Sequence, residues 1–105
     1  MRPAMSRVVE VLNESESPTG WVFVVQFIDD EGALHAVRLA LSWQDYDLYC
    51  PDGSVAPETV AKAVACVAWD LWPEGLPARM DAAALRRRDH GADALVTQRV
   101  DLSAM

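Results

Sequence analysis

The chain has almost no positive charge through its middle. Between Val8 and Ala78 only Arg38 and Lys62 carry it, against twelve carboxylates, so this stretch stands at −10 while the whole chain stands at −7. Arg2 and Arg7 before it, and five Arg against four Asp after it, account for the difference. Such a field repels phosphate backbones, anionic membranes and acidic ligands, and it draws in basic partners. Direct nucleic-acid binding is therefore not expected; a basic protein partner is.

Other absences narrow the reading. No apolar run approaches the roughly 20 residues of a spanning helix, and Met1-Arg-Pro-Ala-Met5 holds no apolar signal stretch. The expectation is a cytoplasmic protein that does not associate with membranes. Cysteine is scarce, and Cys50 and Cys66 lack Cys-x-x-Cys spacing, so both read as packed single thiols in a reducing compartment. No cofactor motif is present. Asp45-x-Asp47 followed by Asp52-Gly53 touches on a calcium loop, but Tyr49 stands at the third ligand position and Cys50 where the loop needs Gly, so no metal is expected. His35 and His90 are the only imidazoles, and no nucleophile, base and orienting acid occur at local spacing. The residues identify no catalytic group.

What is present is enough for a core. At 51% hydrophobic with four Trp, the 105 residues read as a single small domain. Arg7 to Leu12 reads as a strand, and the polar Asn13 to Gly20 as a loop. Trp21 to Ile28 is apolar on both faces, as befits a central strand, and Leu34 to Leu41 alternates. A three-residue loop, Asp30-Glu31-Gly32 with Gly32 in the left-handed region, sets Phe27 opposite His35, Val25 opposite Val37, Phe23 opposite Leu39 and Trp21 opposite Leu41. A slip of one residue would scatter the apolar face.

Ser42 reads as the N-cap of a short helix, Trp43 to Tyr49. Pro57 and Glu58 open a second helix that Trp72-Pro73 ends. Its stripe of Val60, Val64, Val67 and Leu71 is expected to lie on the sheet, which turns Trp69 away from it. Asp81 is a candidate N-cap for a third helix, Ala82 to Arg88. Residues 92-105 hold no sustained period and read as a partly ordered tail with an edge strand near Leu95 to Val100. The fold class is thus α+β: a three-stranded antiparallel meander, a helix packed on one face, and short C-terminal helices.

Candidate contact residues come from charge and aromatic content. Asp29, Asp30 and Glu31 crown the hairpin, Asp45 and Asp47 mark the short helix, and Trp69 and Trp72 are hard to bury on one sheet face. Arg86-Arg87-Arg88 reads as a dock against the acidic body more readily than as a phosphate site.

The runs Val37-Arg-Leu-Ala-Leu-Ser-Trp-Gln-Asp-Tyr46, Gly53-Ser-Val-Ala-Pro-Glu-Thr-Val60 and Leu76-Pro-Ala-Arg-Met-Asp81 resemble a group of small uncharacterised bacterial α+β proteins. The resemblance implies a bacterial or phage origin, and it carries over no activity and no functional residue.

The leading functional expectation is a non-enzymatic binding protein. One form of it is an inhibitor of a nucleic-acid-binding partner, anti-CRISPR-like or antitoxin-like, whose carboxylates occupy a phosphate site. The alternatives are a housekeeping protein that homodimerises through its open sheet face, and a small enzyme whose site is assembled from distant residues.

Overall fold

The computed structural model describes residues 8–29 and 31–103, so Arg7, Asp30 and the last two residues of the chain lie outside it. In chain order the elements are β1 (Val8–Ser17), β2 (Gly20–Ile28), β3 (Leu34–Ser42), α1 (Trp43–Tyr49), α2 (Pro57–Leu71), β4 (Arg79–Asp81), α3 (Ala84–Arg88) and α4 (Ala92–Ser103). The fold is α+β, with one sheet in the order β1-β2-β3-β4.

The β2–β3 hairpin has the expected register, with Phe27 facing His35, Val25 facing Val37, Phe23 facing Leu39 and Trp21 facing Leu41. All but His35 and Trp21 of these eight are buried. The Gly32 N–H donates to the Asp29 carbonyl (3.0 Å), and Gly32 has φ +82°. A side chain is strained there, so Gly32→Val is expected to cost about 1 kcal/mol or more in urea denaturation. At the other end of the hairpin, a Cβ on Gly20 would collide with the Leu41 carbonyl oxygen.

Three expectations about the strands and the C-terminal segment are corrected. The polar segment after Leu12 is not a loop: β1 runs on to Ser17 and only Pro18 and Thr19 turn the chain. Central strand β2 needs partners for its backbone groups on both sides, and this recruits Glu14, Ser15 and Glu16 into the ladder despite weak strand propensity. The register shifts between Val11 and Asn13, a bulge at Leu12. The sheet is also not a three-stranded meander, because β4 adds to β3 in parallel, pairing Leu39 with Met80. A parallel neighbour needs a crossover, and α2 lies within it. Finally, the expected tail and edge strand are a helix, α4, whose Ala92, Val96 and Val100 are buried at i, i+4, i+8 spacing.

Helix α2 has the predicted limits but the opposite orientation. Trp69, 6% exposed, stacks on Phe27 at 4.9 Å between centroids, so its face is the one on the sheet. Ala65 and Ala68 share that side, near Val25, Phe27, Val37 and Leu39. Val67 and Leu71 turn instead to Leu95 and Leu102 of α4. The sheet face is already filled by Phe and Leu, so close packing calls for alanines opposite it. Eight of the fifteen α2 residues are buried. Trp43, at the start of α1, is 53% exposed.

Candidate functional site

Two clusters of polar side chains stand out, and they differ in kind. The first is a brace. Asp45 Oδ1 accepts from Arg86 (2.8 Å), Arg86 Nε donates to Asp93 Oδ2 (3.0 Å), and the Tyr49 hydroxyl donates to Asp93 Oδ1 (2.7 Å). It joins α1, α3 and α4. Burial, and then the bond to Asp93, push the Tyr49 phenol above its ordinary pKa; the two carboxylates raise that of Arg86. Ser42 caps α1 as expected, accepting from the Asp45 N–H at 3.1 Å, but the Asp45 carboxylate is spent on Arg86.

The basic run serves the fold throughout. Arg87 reaches Asp81 at 3.2 Å, and Arg88 reaches Glu74 at 2.7 Å with its guanidinium 4.8 Å from the Trp72 ring centroid.

The second cluster lines a cleft of about 440 Å³ where the β2–β3 hairpin meets the end of α2 and the segment after it. Asp29, His35, Trp69, Trp72, Glu74 and Leu76 form its walls. Asp29 is held by its own turn, with Oδ1 accepting the N–H groups of Glu31 and Ala33, both at 2.9 Å, and Oδ2 lying 2.9 Å from His35 Nε2. The His35 bond, and next the Ala33 N–H, hold the Asp29 carboxyl below the usual range. Its own backbone N–H and then Arg88 do the same for Glu74. Both carboxylates are therefore anions at neutral pH. An ionised carboxylate only accepts, so His35 Nε2 carries the proton. The ring rests edge-on against Trp69 at 5.6 Å.

Such a cleft presents to a cation two carboxylates, Asp29 beside His35 and Glu74 beside Arg88, together with the Trp72 indole. Among its described lining residues there is no hydroxyl, thiol or amine side chain to pair with the imidazole as a nucleophile. Among all the described residues no group of three His, Cys, Asp or Glu is placed to hold a metal, and no helix is long and apolar enough to cross a membrane.

No family model, curated protein or solved structure matches this chain.

Of the seven residues proposed from sequence, the fold brings Asp29, Trp69 and Trp72 to the cleft. Glu31 is exposed on the hairpin beside it, and Asp30 lies outside the described residues. Asp45 is in the brace; Asp47 is exposed on α1. Glu74, Leu76 and His35 were not among the residues proposed from sequence, and the His35 side chain is 47% exposed. The one local hint was His35 six residues from Asp29 across a tight turn, a spacing that brings the two to the same end of the hairpin.

Proposed function

We propose that the protein acts by binding a basic protein partner, with the cleft receiving a lysine or arginine side chain of that partner. The observation that carries this reading is the convergence of Asp29, Glu74, Trp69 and Trp72 on one cleft. Arg88 supplies an internal precedent, since one guanidinium already pairs with Glu74 and lies over Trp72. The acidic body adds long-range attraction, which Arg86, Arg87 and Arg88 reduce by pairing with Asp45, Asp81 and Glu74 but do not cancel, since the chain stands at −7. A partner whose basic surface normally holds nucleic acid fits this chemistry, in the manner of an anti-CRISPR or antitoxin.

The test is an affinity capture from the native host, followed by titration of the captured complex against salt. Affinity is expected to fall steeply with salt, and Trp72→Ala and Glu31→Lys are each expected to weaken it about tenfold, near the loss of one charge-assisted contact. Equal binding by wild type and both variants, or tight salt-sensitive binding of the wild type to bare DNA, would reject the proposal.

A further inference from the structure

The sheet has a second face, and its charges are arranged to match a copy of itself. Pairing places Glu10 opposite Gln26 and Gln26 opposite Ala36, and it places Val24 opposite Arg38 and Arg38 beside Arg79. Directly paired residues share a face, so all of these project away from α2, together with Val22, Ile28, Leu34 and Ala40. Where the core side is closed, this side stays open: Leu34 is 63% exposed, Glu10, Ala36 and Arg38 are exposed, and Val22, Val24 and Ile28 are half-buried. The centre of the face is aliphatic. One flank carries Glu10 on β1, and the other carries Arg38 on β3 with Arg79 on β4, beside Asp81, whose charge Arg87 offsets.

We infer that this face pairs with a second copy of the chain about a two-fold axis parallel to the strands. That operation lays β1 of one copy over β3 of the other, so Glu10 meets the partner's Arg38 and Arg38 meets the partner's Glu10. The two levels differ by one same-face step, about 7 Å along the strand, across sheets about 10 Å apart. Both side chains are long enough to close that gap from the two rims. The valines, Ile28 and Leu34 then fill the middle. A two-fold axis running across the strands would instead set β1 over β1 and β3 over β3, bringing Glu10 near Glu10 and Arg38 near Arg38, which is repulsive. Charge thus selects the axis parallel to the strands.

The area sets the strength. Three strands spaced about 4.8 Å apart over nine residues present roughly 400 to 600 Å² per copy, near the lower limit of about 1,000 Å² in total for a specific interface. The dimer is accordingly weak, with a dissociation constant in the micromolar range, and it leaves the cleft free on the opposite side of each sheet.

Sedimentation velocity of the full chain from about 1 μM to about 500 μM tests this, because the span brackets a micromolar constant. Wild type is expected to pass from monomer to dimer. Arg38→Glu and Glu10→Arg should each weaken dimerisation about tenfold or more, and the double variant Glu10→Arg/Arg38→Glu should return to within about threefold of wild type, since the pairs are remade in reverse. Circular dichroism on each variant confirms the fold; both positions are exposed. A wild type that stays monomeric throughout overturns the inference. So does a dimer indifferent to the single reversals, or a double variant no tighter than the singles.

Discussion

Trp69→Ala is expected to destabilise the protein by about 3 to 5 kcal/mol, the usual cost of emptying a buried aromatic site. Against a typical total of 5 to 15 kcal/mol this is a large share. The melting temperature should fall by roughly 15 to 30 °C for a domain of this size. The loss comes from the stack on Phe27, the edge contact with His35 and the side chain's near-complete burial. Trp69→Phe keeps a ring in the stack and should lose much less. Urea denaturation followed by circular dichroism measures both. Because the sheet of the same chain covers Trp69, neither change should alter the mass in sedimentation by itself, and a loss below about 1 kcal/mol would contradict the packing described.

The brace gives the second large effect. Arg86→Met leaves Asp45 and Asp93 without their cation; the Asp45 side chain is only 13% exposed. Breaking a fully buried pair costs 3 to 5 kcal/mol, and since Arg86 itself is about one-third exposed, solvent reduces the expected figure to about 2 to 3 kcal/mol. Arg86→Lys should recover less than half of that, because one ammonium does not reproduce a fork that donates to two carboxylates from different elements. The same cluster carries a pH signature. An unfolded tyrosine ionises near pH 10, whereas the folded Tyr49 holds its proton to higher pH. The unfolded chain therefore releases a proton first, so this contribution is fully present below about pH 10 and is lost as pH rises above it, at about 1.4 kcal/mol per pH unit for one group. Tyr49→Phe should flatten that decline, as read from denaturation at a series of alkaline pH values.

The hairpin and the limits of α2 were legible because their signals are local. A period of two with Gly32 at the turn admits one register, and Pro57 with Trp72-Pro73 bracket one helix. The orientation of α2 was not legible, because a helix buried on most of its circumference has no single apolar stripe. Its Val67 and Leu71 went to α4, and its alanines went to a sheet already crowded with Phe and Leu. For α4 the exposed Leu95 and Leu102 obscured the spacing of Ala92, Val96 and Val100. The three residues of β4 carry no signal of their own, since their pairing exists only once α2 has brought the chain back. The cleft is the same case: Asp29 and His35 share one hairpin, but Trp72 and Glu74 join them only in three dimensions.

The bulge at Leu12 has a bearing on how the molecule behaves in a crowd. Among the described residues β1 is the sheet's long open border, and an incoming strand that began to hydrogen-bond along it would lose step at Leu12 and meet Glu14 and Glu16 just beyond. Propagation from chain to chain, the first move of fibre growth, is interrupted in mid-strand and then opposed by charge. The sheet can thus keep one broad face available for contact while its border refuses to template further strands.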